Sequence, residues 1–406
     1  MNRLSQTFAH GVERVTGAAL GPYQTAVIRI GFAGTWLLFL LREFPHRQEL
    51  YGPAGPWSWN LAHQLIADNH AFTVLMWSDS RLWFEVCYLL AVLASAALLV
   101  GWRTRTAAVL FMVGVLSLQN RSVFMGDGGD NVLHLMSLYL VFTRCGQVWS
   151  LDARRAGRAE AARARGERVP DDRVGPALWA VSGAVLVTAA VTGRFGGGCG
   201  WLVPALLWAA WAGLGLWWAA GRWTRSQQPR MLLDVLANVL HNAGLAVIMA
   251  EACLIYATAG WYKIQGSRWQ DGTAVYYPLH LDYFSPWPAL ADLMSASGVL
   301  MMIVTYGTVM VQVAFPFTLF NRRVKNVLLV LMMTEHAVIA VVLGLPFFSL
   351  AMITADAVFL PTAFLLLLGG WAARARGRLI RRGGTGRVPP PRAPEESTAG
   401  HVGFRA

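Results

Sequence analysis

Lysine is almost absent from this 406-residue chain: Lys263 and Lys325 are the only two, against 32 arginines. Charge as a whole is scarce, at 14% charged residues against 55% hydrophobic ones, a balance that excludes an ordinary soluble domain. Cysteine is scarce too. Cys87, Cys145, Cys199 and Cys253 share no metal-ligand spacing and three lie in or beside apolar runs, which argues against a disulfide framework. There is no phosphate-cradling Gly-rich loop, no Gly-x-Ser-x-Gly elbow, no Cys-x-x-Cys pair and no histidine pair at zinc spacing. No broken-helix pair or internal symmetry of the transporter kind is evident.

What is present is apolar: 18 tryptophans, a mean hydropathy of +0.44, and several runs approaching the roughly 20 apolar residues that cross a bilayer. The net charge of +12 does not point to nucleic acid, because the arginines cluster between apolar runs and in the tail, as in cytoplasmic loops of membrane proteins. The expected fold is an all-α, polytopic helical bundle with roughly ten spans. They lie near 26–41, 83–100, 106–119, 132–143, 176–192, 201–220, 237–258, 298–320, 327–343 and 348–369. The first run reads as a retained span rather than a signal peptide. Residues 61–76 read as an amphipathic segment at the interface. Arginine-rich loops 101–105, 144–175, 221–236 and 321–326 alternate with basic-poor loops 42–82, 120–131, 193–200, 259–297 and 344–347. This alternation predicts an N-in/C-in protein of the cell membrane with Lys263 in a loop on the non-cytoplasmic side. Three regions follow: a cytoplasmic segment 1–25, a membrane domain 26–370, and a basic, Gly/Pro-rich disordered tail 371–406. Residues 153–172 are either a surface helix or a linker.

Lys325 sits in a basic loop where any cation would serve, but Lys263 lies just past a long apolar run. Lysine loses its proton on desolvation and arginine effectively does not. Tyr256, Gly260 and Lys263 share one face if the helix continues, and Ala259 and Gly260 let a helix or a ligand approach closely. Tyr262, Ile264 and Trp269 would surround the amine with apolar surface, as a general base requires. A snorkelling lysine in an aromatic belt is the competing reading. In Gly126–His134, Asp130 or Asn131 caps the fourth span, and Asn131 with His134 also suits a polar ring substituent. Thr334-Glu335-His336 and Glu251 place ionisable groups inside apolar runs, either at a functional site or bonded between helices. Asn238, His241 and Asn242 read as packing polars.

The run Tyr256-x-x-Ala-Gly-x-x-Lys263-x-x-x-x-x-Trp269-x-x-Gly272 resembles the active-site segment of the vitamin K-dependent gamma-carboxylases and their bacterial relatives, which share the horizontally transferred transmembrane (HTTM) domain. The stretch from His336 to Met352, and Gly129-Asp130-Asn131 followed later by Val148-Trp149-Ser150-Leu151-Asp152, resemble further segments of that domain, in the same order. In the family a lysine at this position deprotonates vitamin K hydroquinone. Oxygen addition then generates a strong base that removes a glutamate gamma proton, and carbon dioxide traps the carbanion. The resemblance implies Lys263 as catalytic base and Asn131, His134, Tyr256, Trp269 and His336 near a reduced quinone, vitamin K- or menaquinol-like. Eukaryotic members carry a large non-cytoplasmic domain that holds a propeptide. Here a short basic tail follows instead, so propeptide recognition is not expected. A secreted peptide or protein is the implied substrate. One bacterial branch assists maturation of a secreted peptide toxin, which makes a non-enzymatic membrane partner in peptide maturation or export the alternative.

Overall fold

The computed structural model describes residues 3–168, 171–195, 200–223 and 227–383. Among them there are helices and no strands. The chain divides into two units, residues 1–362 and residues 363–406.

In the first unit α1 (Arg3–Gly17) precedes α2 (Pro22–Glu43), the one-turn α3 (Arg47–Tyr51) and α4 (Trp59–Asn69). The hairpin α5 (Arg81–Val100) and α6 (Thr104–Arg121) follows, then α7 (Gly128–Leu140) and α8 (Leu151–Ala164). A second hairpin, α9 (Val174–Val191) and α10 (Leu202–Trp223), leads into the longest helix, α11 (Gln228–Gln265). Two single turns, α12 (Ser267–Gln270) and α13 (Tyr276–Leu279), and α14 (Pro288–Ser295) connect to α15 (Gly298–Ala314), α16 (Arg322–Val342) and α17 (Pro346–Asp356). The second unit begins one residue into α18 (Thr362–Gly383), so part of the tail expected to be disordered is helical. The disorder expected over 384–406, the middle of loop 193–200, and Cys199 lie outside the described residues.

Every expected span overlaps helix, although 348–369 is broken at residues 360–361. Seven helices are long and apolar enough to cross a membrane: α2, α5, α9, α10, α11, α15 and α16. The pair Pro346–Phe359 and Thr362–Arg378 passes only if counted together as an eighth. α7, with 13 residues, reaches only about 20 Å at 1.5 Å per residue, short of a hydrocarbon core of about 30 Å. α11 is longer than the expected 237–258. Its 38 residues extend about 57 Å, and the helix carries through Lys263 before Gly266 ends it in extended backbone. Lys263 is therefore in the last helical turn, not in a loop. The loop expected over 221–236 shrinks to the few residues between α10 and α11. The segment 153–172 begins as helix α8, exposed along most of its length.

The core lies where α2, α5, α6, α7, α11, α16 and α17 pack together around Phe32, Trp36, Tyr88, Phe111, Met136 and Ile248. Close approach there needs small residues: a Cβ on Gly31 of α2 would lie 2.3 Å from Thr354 Oγ1 of α17. Arg29, fully buried on α2, ties the bundle together. Its guanidinium donates to Leu98 O (2.6 Å), Leu99 O (2.7 Å), Cys145 O (3.1 Å) and Trp149 O (2.8 Å). A cation thus meets the negative end of α5 and satisfies carbonyls that the helix terminus leaves free. Ser150 caps α8 by accepting from Ala153 N, and Asp152 accepts from Arg103 N (3.0 Å) and Thr104 N (2.7 Å) at the start of α6. The Val148–Asp152 segment is therefore a clamp joining α2, α6 and α8.

The polar residues of the first half of α11 bind α1, as their reading as packing polars implies. Asn238 Nδ2 donates to Thr16 O (3.0 Å), Asn242 Nδ2 to Val15 O (2.8 Å) and Ala18 O (2.9 Å), and His241 Nε2 meets Leu20 O at 2.7 Å. The α9–α10 hairpin is stapled by Trp179 and Trp211. Their rings stack at 4.6 Å, and each indole N–H donates to the other's carbonyl oxygen, at 2.9 and 3.0 Å.

Candidate functional site

Four helices bring ionisable and amide side chains together near the end of α11. Lys263 is half-buried in its last turn, and Tyr256, two turns earlier on the same face, is 1% exposed. Gln312 comes from α15, Glu335 and His336 from α16, and Asp356 from the end of α17. The expected face of Tyr256, Gly260 and Lys263 exists because α11 continues unbroken. Gly260 admits a helix rather than a ligand: a Cβ there would lie 2.6 Å from Val313 Cγ2 of α15.

Two hydrogen-bonded chains run through this region. In the first, Lys263 Nζ donates to Gln312 Oε1 at 2.5 Å, and Gln312 Nε2 donates to Glu335 Oε1 at 2.7 Å. Gln312 is 4% exposed, so its carboxamide bridges amine and carboxylate away from water. In the second, the Tyr256 hydroxyl donates to Asp356 Oδ2 at 3.0 Å and meets His336 Nε2 at 3.0 Å. With its proton given to Asp356, the hydroxyl accepts from His336 Nε2–H. His336 Nδ1 is then an unprotonated acceptor, and among the described residues neither it nor Asp356 Oδ1 has a partner. The adjacency of Glu335 and His336 on α16 places the two chains side by side. Phe315 packs edge-on against Tyr256 at 6.0 Å, and Phe348 against His336 at 5.5 Å.

The aromatic surroundings of the amine differ from expectation. Trp269 lies beside it, with Nζ 5.1 Å from the ring centroid. Tyr262 and Ile264 are 74% and 44% exposed and do not enclose it, since each neighbour of Lys263 in sequence is turned about 100° away from it around the helix. Trp269 is positioned by a short loop whose Gly272 adopts φ +78°, with Tyr306 packed against it and the Tyr306 hydroxyl donating to Gln270 O at 2.8 Å. A left-handed backbone pressed against a ring favours glycine.

Asn131 and His134 belong elsewhere. Asn131 is exposed in the first turn of α7 and is not the cap. Asp127 caps that helix by accepting from Gly129 N (2.7 Å) and Asp130 N (3.2 Å), and the Asp130 side chain returns a bond to Asp127 N (2.9 Å). This reciprocal pair is favoured over a lone Asn because it satisfies backbone donors at both ends. His134 Nδ1 pairs with Gln119 of α6 at 3.1 Å. The link to the Lys263 region is indirect: Gly129 packs so closely on α17 that a Cβ would lie 2.6 Å from Phe348 Cα. Glu251 is also separate, 3.5 Å from the Tyr139 hydroxyl.

Sequence reasoning missed Gln312 and Asp356. Both interrupt apolar runs, Val311-Gln312-Val313 and Ala355-Asp356-Ala357, the signal that singled out Glu335 and His336. Lys325 is more specific than expected, because its amine donates to the Phe359 carbonyl oxygen. Among the described residues no group of three or more His, Cys, Asp or Glu side chains is arranged to hold a metal ion. No family model matches the chain, and neither a curated protein nor a solved structure matches it.

Proposed function

We propose that the Lys263 cluster is the proton-transfer site of a membrane enzyme acting on a reduced quinone, in the manner that the resemblance to the vitamin K-dependent gamma-carboxylase membrane domain implies. The observation that carries this reading is the bond from Lys263 to Gln312. A carboxamide oxygen accepts from a neutral amine as well as from an ammonium, so the contact orients Nζ without an ion pair. A lysine serving only as an interfacial anchor would extend its amine to water.

The residues present suit a flat, apolar ring bearing a hydroxyl. Trp269 offers an aromatic face beside the amine, and Lys263 is only half-buried, which leaves an approach open. A bound reduced quinone would supply a phenolic proton, and two electrons to dioxygen as the oxidant. Lys263 Nζ is the acceptor of that proton, Gln312 orients it, and Glu335 at the far end of the amide bridge holds the compensating charge. Asn131 and His134 have no part in this arrangement. The protein is read as a multi-pass protein of the cell membrane, N-in and C-in with roughly ten crossings if the short helices are counted. That orientation places the Lys263 end of α11 on the outer face, where a secreted peptide or protein would be modified.

Purified protein incubated with reduced menaquinone or vitamin K tests the reading. Lys263→Arg keeps charge and reach but supplies no free amine, and its oxidation rate should fall by about a hundredfold or more. Equal rates for the two proteins would refute the proposal. A non-enzymatic role in peptide maturation or export is favoured by one observation: Tyr262 in the last turns of α11, and Tyr283 and Trp287 in the segment that follows it, are 74%, 84% and 59% exposed. Peptide capture that survives Lys263→Arg would select that role.

A further inference from the structure

At the arginine-rich segments, between the start of α6, helix α8 and the α9–α10 hairpin, lies a cavity of about 940 Å³. One wall is polar and carries Arg103, Arg105 and Arg144; the other carries Trp179, Leu214 and Trp217. Most of the charge is already matched. Arg103 is bonded to Asp172, Arg144 lies 3.3 Å from Asp234 and donates to Asn238 Oδ1 at 2.6 Å, and Arg155 lies 3.1 Å from Asp152.

Arg105 is the exception. It is half-buried, its guanidinium sits 4.5 Å over the Trp217 ring, and it has no hydrogen-bond acceptor or carboxylate partner among the described residues. Arg103 Nε, on the same wall, is a buried donor without an acceptor among the described residues. Half-buried guanidinium donors without acceptors are costly unless something supplies oxygen atoms. The fork of arginine matches a phosphate group, and stacking on an indole fixes its plane. Of the carboxylates near Arg105, Asp152 and Asp234 are engaged by Arg155 and Arg144, and the one that lines the cavity without such a partner among the described residues is Glu160, exposed on α8.

We propose that this cavity binds the phosphate group of an anionic membrane lipid, with the acyl chains leaving along Trp217 and Leu214. A lipid is favoured over a soluble phosphate because the apolar wall belongs to α9 and α10, whose apolar stretches are each only 11% buried within the protein. The polar wall lies at arginine-rich ends, the depth of lipid headgroups. The site is separate from the Lys263 cluster and does not depend on the function proposed for it.

Full-length protein in detergent, titrated with short-chain phosphatidylglycerol, short-chain phosphatidylcholine and inorganic phosphate and followed by native mass spectrometry, tests this. Phosphatidylglycerol should bind in preference to both other probes. Arg105→Gln should weaken it about tenfold, the loss of one charged hydrogen-bonding group. Glu160→Gln should tighten it by removing a like charge, whereas Arg154→Gln, away from the cavity on the same helix, should change nothing. Equal binding by wild type and Arg105→Gln would overturn the proposal, as would inorganic phosphate binding as tightly as the lipid. If Arg105→Gln does not fold, Glu160→Gln decides alone: affinity no tighter than wild type overturns the proposal.

Discussion

The Lys263 amine rests 2.5 Å from the Gln312 carbonyl oxygen, and the other end of that amide holds Glu335. Amine and carboxylate are thus joined through a neutral group. Gln312→Glu converts the contact into an ion pair and sets a second carboxylate against Glu335. The quinol oxidation proposed for this site should fall about tenfold or more while the helical content stays unchanged. Gln312→Leu leaves both partners without a bond and should destabilise the protein by about 1–3 kcal/mol. Rate assays with circular dichroism and thermal unfolding in detergent check the pair, and an unaltered rate in Gln312→Glu would remove the bridge from the chemistry.

Tyr256→Phe deletes the one hydroxyl that serves both His336 and Asp356. All three side chains are nearly inaccessible, at 1%, 2% and 0% exposure, so water cannot readily take the vacated place. The expected loss is about 1–3 kcal/mol. Asp356→Asn combined with Tyr256→Phe should cost less than the sum of the single changes, because the two act on one bond. Additive losses in a thermal-unfolding cycle would contradict this.

Arg29→Met keeps the volume of the side chain and removes four bonds to carbonyls. Each bond to a charged group is worth about 1.5–3 kcal/mol, and the substitution leaves the acceptors at the end of α5 without their donor. A loss of about 3 kcal/mol or more is expected, visible as failure to purify as a single species.

The Arg103–Asp172 pair gives a dependence on acidity. The Arg103 guanidinium holds the Asp172 carboxyl at about 2, below its ordinary value of 3.8, with a further bond from Gly175 N. The folded value is below the unfolded one, so the pair's contribution is complete above pH ~4 and fades as pH falls toward ~2. The Asp172 side chain is 49% exposed, so its worth is about 1 kcal/mol or less after solvent screening. Relative to Asp172→Asn, wild type should lose its advantage between those two pH values in parallel denaturation curves, and a constant difference would refute the pairing.

Gly272→Ala places a Cβ at φ +78° within about 3 Å of Met302 and Tyr306. About 1–3 kcal/mol of strain is expected, relieved by shifting the loop that carries Trp269. Near-wild-type stability with an unchanged tryptophan emission spectrum would show that the loop absorbs the change.

Hydropathy located the helices well, because an apolar run long enough to cross a bilayer has few other uses in a chain so poor in charge. Of the ten expected spans, seven are helices long and apolar enough on their own; α6 and α7 are not among them, and the last is divided between α17 and α18. The cluster was legible in part. Lys263, Tyr256, Trp269 and His336 stood out by type and setting, and the structure sets Lys263 beside Trp269 and Tyr256 beside His336. Gln312 and Asp356 did not, because single polar residues in apolar runs carry no mark of which neighbour they will meet. Asn131 and His134 were read as candidates for a ring substituent; the cap of α7 falls to Asp127 instead, Asn131 stands exposed beside it, and His134 pairs with Gln119. Arg29 gave no warning: an arginine in a first apolar run looks like an edge residue until the carbonyls of two distant segments converge on it.

The unbroken length of α11 makes the helix a ruler with a fixed angular scale. Asn238, His241 and Asn242 are bolted to α1 at one end, while Tyr256 and Lys263 must face α15, α16 and α17 at the other. One residue added or removed between positions 242 and 256 would turn one end by about 100° relative to the other. Both sets of contacts could not then be met at once. Substitutions along this stretch are open to compensation, but insertions and deletions are not, and the spacing between the α1 anchor and the amine is in effect a coded dimension of the protein.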